Sequence, residues 1–394
     1  MFDATRALTQ LIRAAYPFDE RAVAAPTLNA DEWNIVAQIA WANNLTPMLY
    51  AALLRCENAG QPPVALAETL QSAYHQTKIA NWVALRELGE LLAIFEREKI
   101  PAILLKGAAL AKTVYPNIAM RPMGDIDILF ARDDAPCARD ILIARGFALN
   151  LEPTENFQTR FACEQAFTRG GPYPMMFEVH WHLFNLPYYR ARVPMDWFWQ
   201  RTQAMCVNDQ PARVFAPEAQ ILHLAAHAVL HHQGHNLLAA YDLALTLACY
   251  RDQIDWAAVI DAARAFGLSR IVQANLARVR ETWDVAAPAQ VETRLARNAG
   301  VHERVLFAIT TSPHVEARDL WDGMNLPDAK SRLIFFKSIL FPSRNYMQQR
   351  YGITAARALP LHYARRLARG AQMFARSVMA MARNMARTHE VSSG

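Results

Sequence analysis

The segment Asp125-Ile126-Asp127-Ile128-Leu129-Phe130 alternates polar and apolar side chains at period two. That is the pattern of a strand with one differentiated face, and it lies in a chain whose flanks read as helix. Upstream, Asp31-Glu32-Trp33 opens a segment with apolar positions at Ile35, Val36, Ile39 and Ala40. The run from Ala65 to Ile100 has almost no breakers and a charged face of Arg86, Glu87, Glu90, Glu96 and Lys99. After Pro101 the texture changes. Ala102–Leu105 is a short strand-like run stopped by Lys106-Gly107, Ala108–Val114 and Ala135–Arg145 are helix-like, and Met176–Leu183 is another alternating strand. Strand–helix–strand–helix–strand order predicts a small sheet with helices against it. From Pro217 the helices return, and the segment from Asp255 to Phe266 is stopped by Gly267. The expected fold class is α+β, a small mixed sheet embedded in a largely helical chain. Four regions are expected: an N-terminal helical region over 1–100, the sheet core over 101–216, a helical domain over 217–328 and a basic helical tail over 329–394.

Composition narrows the class of protein. With 394 residues, 53% hydrophobic and 20% charged, the chain is a folded one with more than one packed unit, neither disordered nor fibrous. Its five cysteines are far apart and form no CxxC pair, which disfavours a disulfide scaffold or structural zinc cluster and fits a reducing, cytoplasmic setting. Asp3, Arg6 and Arg13 interrupt the N-terminus where a signal peptide needs an apolar stretch. The later apolar windows are broken by His227, His231 or Asp242 before they reach the ~18 residues of a spanning helix. A soluble chain is expected. The net charge of +5 hides an asymmetry: Ala329–Gly394 carries twelve Lys/Arg against one acid, Glu390, so the remainder is mildly acidic at −6.

The chemistry concentrates between Leu104 and Leu129. Carboxylates at i and i+2 of a strand share a face, roughly 7 Å apart. Asp125 and Asp127 therefore stand side by side around an Ile126 that faces the opposite way, and their repulsion is relieved by a cation. Mg²⁺ suits them, being a hard ion that takes carboxylate oxygens, water and phosphate. Glu178, on a strand that alternates Glu178, His180 and His182, is the candidate third acid for a two-metal cage. Lys106 beside Gly107 suits a phosphate, with the helix opening at Ala108 aimed at the same anion; its bland alternative is a snorkelling strand-end lysine. Arg121 either clamps phosphate or holds Asp125. His180 either orients a carboxylate or is structural.

Taken together, Leu105-Lys106-Gly107, Tyr115-Pro116, Arg121-Pro122-Met123-Gly124-Asp125-Ile126-Asp127-Ile128-Leu129 and Glu178-Val179-His180-Trp181 resemble a family of uncharacterised bacterial nucleotidyltransferases. That family lies in the superfamily of DNA polymerase beta and the minimal and antitoxin-type nucleotidyltransferases. The resemblance spans about Asp31 to Ile260 and is clearest from Ile103 to Trp181. It implies a nucleotidyltransferase sheet and transfer of a nucleoside monophosphate from an NTP to an acceptor, with pyrophosphate released. It also implies two Mg²⁺ ions, Mn²⁺ being a substitute, on Asp125, Asp127 and Glu178, and nucleotide contacts from Lys106, Gly107 and Arg121. The superfamily's usual Gly-Gly or Gly-Ser turn is replaced here by Lys106-Gly107, which removes a phosphate-binding hydroxyl and introduces an ammonium. The acceptor is open among small molecule, peptide, protein and RNA end. Phosphoryl transfer on the same fold and a non-catalytic nucleotide-binding or partner-docking module are the alternatives. No Walker A loop, G-x-S-x-G elbow, G-x-G-x-x-G or kinase catalytic loop is present.

Two features remain. His223, His227 and His231 are spaced to stack on one helix face. The family carries a similar H-x-x-x-H followed by an Asp, matched by His227, His231 and Asp242, which are expected to line the cleft near base or acceptor; zinc binding and buried polar packing are the alternatives. In the tail, Arg365, Arg369, Arg376, Arg383 and Arg387 fall near one helical stripe, with Phe374, Val378, Met381 and Met385 on another side. Such a helix suits docking on the acidic body, a peripheral contact with the inner membrane surface, or nucleic acid.

Overall fold

The computed structural model describes residues 2–19, 23–56, 59–311 and 322–372. Three helices lead: α1 (Ala4–Ala15), α2 (Ala30–Ala42) and α3 (Thr46–Leu53). Helix α2 opens on a capping box in which Asn29 and Glu32 satisfy each other's backbone N–H groups. The long α4 (Val64–Arg97) follows. Seven strands then form one mixed sheet in the order β3-β4-β5-β2-β1-β7-β6. They are β1 (Ile103–Leu104), β2 (Ile126–Leu129), β3 (Ala148–Leu149), β4 (Glu164–Arg169), β5 (Met175–His180), β6 (Thr202–Val207) and β7 (Gln210–Phe215). Between the strands lie α5 (Lys106–Thr113), α6 (Ala135–Ala144) and the short α7 (Phe157–Phe161), α8 (Pro187–Arg190) and α9 (Met195–Trp199). Helices α10 (Pro217–Leu230), α11 (Leu237–Cys249), α12 (Trp256–Phe266), α13 (Ser269–Trp283), α14 (Ala289–Asn298) and α15 (Val301–Thr310) complete the body. Two more, Ala329–Leu340 and Arg344–Tyr351, follow it. The fold is α+β, with the sheet set in a mostly helical chain.

Strand parity divides the sheet between two cores. Leu104, Ile126, Ile128 and Val179 pack with Leu88, Leu92 and Phe95 of α4 and with Ala138 and Leu142 of α6. Ile103, Leu105, Leu129 and Phe215 face the other way, into a larger cluster shared by α1–α3 and α10–α13. Because side chains alternate along a strand, Asp127 is on the same side as Leu129, the side covered by the helical layer. Glu87 of α4 ties the layers together by accepting from Arg145 at 2.8 Å and Arg169 at 2.7 Å. No helix of the described residues is long and apolar enough to cross a membrane. Of the tail stripe expected above, Arg365 and Arg369 lie within the described residues; Arg376, Arg383, Arg387, Phe374, Val378, Met381 and Met385 lie outside them.

Candidate active site

Three adjacent strands assemble the acids. β2 and β5 are parallel, with Asp127 opposite Glu178; β4 and β5 are antiparallel, with Glu164 opposite His180. Paired positions share a face, so Asp127 and Glu178 form one row, and His180 and Glu164 lie one pleat along. Asp125 stands just before β2. Across a cleft of 510 Å³ stand His227 of α10, His231, and Asp242 of α11, with Lys106, Asp125, Glu164 and Glu178 on the near wall.

Asp127 is 1% exposed. Its Oδ1 lies 2.5 Å from Lys106 Nζ and 2.9 Å from His180 Nε2, while its Oδ2 is buried without a partner. Burial works to raise this carboxyl, but Lys106 and His180 outweigh it and hold it well below the usual carboxylate range. His180 Nδ1 is 3.2 Å from Glu164 Oε2, and Nε2 is also 3.4 Å from Glu178 Oε2. Burial alone would favour a neutral ring, but hydrogen bonding to Asp127 and the other carboxylates keeps it an imidazolium, its pKa raised well above 6.5. Burial lifts Glu178 to about 7, with Asp127 adding to the rise. Burial and Asp127 together also raise Asp125.

Lys106 is the departure from expectation. Helix α5 begins at Lys106 itself rather than at Ala108, and the ammonium turns inward to Asp127 and, at 3.9 Å, Glu178. The backbone brings it there: Leu105 N–H donates to Asp127 C=O at 3.0 Å. Lys106 has φ +43°, a left-handed conformation that costs a residue with a Cβ about 1 kcal/mol. Gly107 answers a different need, since a Cβ there would come within 3.0 Å of Met123 Cγ. The lysine thus takes the strained position and the glycine the crowded one.

Arg121 pairs with Asp242 rather than with Asp125. Its Nε and Nη2 grip Asp242 at 2.9 and 2.8 Å, and Tyr115 Oη donates to the same carboxylate at 2.6 Å. The buried Asn81 of α4 donates to the carbonyls of Ile118 (2.6 Å) and Arg121 (2.7 Å), fixing the turn that leads into Asp125. Asp242 is therefore consumed by a cation and a phenol, an arrangement unsuited to zinc. Helix α10 ends at Leu230, so His231 caps it rather than extending one face; its ring still stacks on His227, centroids 4.5 Å apart. Burial lowers the pKa of His227 well below 6.5 and that of His223 to about 3, so both are neutral.

Sequence reasoning missed Glu164 and Asn81, and it named Tyr115 within the motif without a role. Glu164 lies on a strand whose burial alternates, but its sequence Glu-Gln-Ala-Phe-Thr-Arg does not alternate in polarity, so no local signal marked it. Among the described residues, the side chains grouped closely enough to hold a metal ion are Asp127, Glu178 and His180, and Cys163, Glu164 and His180. The orphaned Oδ2 of Asp127 and the carboxylate donors beside it fit a hard cation such as Mg²⁺. An ammonium already lies against them. With carboxylates and an ammonium gathered on one cleft wall, the group set suits binding of a cation together with a polyanion.

Comparison with known proteins follows the same line. A family model described as uncharacterised nucleotidyltransferase matches residues 29–284. A search of curated proteins returns no match. Among solved structures, an antigenic nucleotidyltransferase-like protein from Paracoccidioides brasiliensis is 14% identical, with 54% of this chain and 92% of that chain covered. Its TM-score of 0.34 carries no argument about this chain.

Proposed function

The chain belongs to the uncharacterised nucleotidyltransferase family, and from that premise we propose that it transfers a nucleoside monophosphate from an NTP to an acceptor hydroxyl, in a Mg²⁺-dependent reaction. The observation that carries this reading is the unpartnered Oδ2 of Asp127, buried behind the cleft on the strand next to Glu178, which lines it. Asp125, Asp127 and Glu178 would hold the metal, which supplies charge neutralisation at the donor phosphates. Lys106, released from Asp127 as the cation site fills, would turn its ammonium to the donor phosphates. Glu178 would accept the proton of the acceptor hydroxyl as that oxygen bonds to the α-phosphorus. The bond from the α-phosphorus to its bridging oxygen breaks, and pyrophosphate leaves. Arg121, Asp242 and Asn81 act at one remove, by fixing the turn before Asp125. His227 and His231 face the base or the acceptor.

The test is incubation of purified protein with Mg²⁺, fractionated cell extract and NTPs labelled at the α or the γ phosphate. Label from the α position on an acceptor supports the proposal. Label from the γ position indicates phosphoryl transfer instead, and binding without turnover indicates a docking module.

A further inference from the structure

The basic C-terminal region is seated on the body by apolar and neutral contacts that leave its cations outward. Phe335 of the helix Ala329–Leu340 packs edge-on against Phe161 at 5.3 Å and stacks on Phe157 at 5.9 Å. Ser338 bonds Thr154 at 3.1 Å, and Ser343 N–H donates to Pro153 C=O at 2.7 Å. Residues spaced three and four apart share a helix face, so Lys330, Leu333, Lys337 and Leu340 form the outward stripe. All four are exposed, Leu333 at 70% and Leu340 at 42%, and Phe341 continues the stripe at 52%. Over the helical residues 359–372 the pattern repeats: Leu361 is 52% exposed, and Arg365 and Arg369 follow at i+4 and i+8. Arg366 clips the two segments together through Ile339 C=O at 2.9 Å and Tyr351 Oη at 2.8 Å. Between them lies a groove of 380 Å³ with Leu340 on one side and Arg365 and Arg369 on the other.

We propose that this face docks the protein on an anionic lipid bilayer. Among the described residues, Lys330, Lys337, Arg344, Arg365 and Arg369 form no ion pair, so the acidic body does not neutralise them. Residues 373–394 add Arg376, Arg383 and Arg387 against Glu390, extending the same sign. A polyanion is the complementary partner, and the leucines decide which one. Side chains such as Leu333, Leu340 and Leu361 gain by entering the acyl boundary while flanking cations meet headgroup phosphates. On a nucleic-acid backbone they would gain nothing. With no spanning helix among the described residues, this contact is peripheral.

The test is sedimentation of the full chain with vesicles of phosphatidylcholine plus phosphatidylglycerol, against phosphatidylcholine alone, at low and high salt. Binding is expected to the mixed vesicles only, and to fall with salt. Arg365→Ser with Arg369→Ser should cut partitioning about fivefold per charge. Leu333→Ser with Leu340→Ser should cut it by at least about tenfold; both leucines are exposed, and an unchanged thermal midpoint verifies the fold. No sedimentation with mixed vesicles at low salt overturns the proposal. So does vesicle binding that the leucine pair leaves unchanged, or binding of single-stranded RNA in place of vesicles.

Discussion

Replacing Lys106 with Met tests whether its ammonium stands where a metal ion would. The lysine side chain is 11% exposed and Asp127 1%, so solvent screens this pair little. Removing one member of a buried ion pair costs about 3–5 kcal/mol. His180 keeps its 2.9 Å contact with Asp127, which places Lys106→Met near the lower end, at about 3 kcal/mol. In a chain of 394 residues that is a fall of about 4 °C in thermal midpoint, measured in chelator. Mg²⁺ should then act differently on the two proteins. In Lys106→Met the acids lose one of their two compensating cations, and Mg²⁺ at a hundredfold excess over its dissociation constant returns about 2.7 kcal/mol. In the wild type the ammonium must first leave, so the midpoint rises less. The assay is differential scanning fluorimetry of both proteins across a Mg²⁺ titration. Equal stability in chelator, or equal gains with Mg²⁺, would refute the idea that ammonium and metal compete for one site.

Three further outcomes follow from the same geometry. Asp127→Asn should abolish α-phosphate transfer while leaving a folded protein, checked by turnover and circular dichroism together; retained turnover would exclude Asp127 as a metal ligand. Asp242→Asn leaves the buried Arg121 without a counter-ion and should cost about 3–5 kcal/mol by urea denaturation, where a loss under 1 kcal/mol would mean that the turn is held mainly by Asn81. For pH, Glu178 has a folded value of about 7 against 4.5 ordinarily. Because the folded state binds the extra proton, its contribution is full below pH 4.5 and is lost as pH rises to about 7. That is at most about 3 kcal/mol, and Glu178→Gln should flatten this part of the metal-free stability curve.

What could be read from the chain was local. β2 and β5 announced themselves by strict alternation, and the acids they carry were found with them. β1 was legible as a short apolar run, but β3, β4, β6 and β7 were not. β3 has two residues, too few for any period. The hairpin of β6 and β7 turns at Asn208-Asp209, both at positive φ, a two-residue turn of the type that matches strand twist; Pro211 just beyond it argues against strand and masked the signal. The grip of Arg121 on Asp242 spans 121 positions, and no spacing rule reaches that far. The helical lengths on both sides were legible, but not that α1–α3 and α10–α13 share one core, since an apolar face does not say what covers it.

Lys106 shows why motif chemistry can single out a residue and leave its resting partner hidden. Its sequence neighbours, a glycine and a helix start, argue for an anion, and the cleft it lines is open to one. The decisive fact is register: β1 pairs antiparallel with β2, Leu104 opposite Ile128, and this sets the next residues of the turn beside Asp127. A buried carboxylate one strand away attracts an ammonium more strongly than solvent holds it. In the proposed reaction a phosphate claims the lysine once another cation has taken the carboxylate. On this reading substrate and metal bind together, each lowering the cost of the other's entry, a coupling that a strand-end lysine free in solvent would not produce.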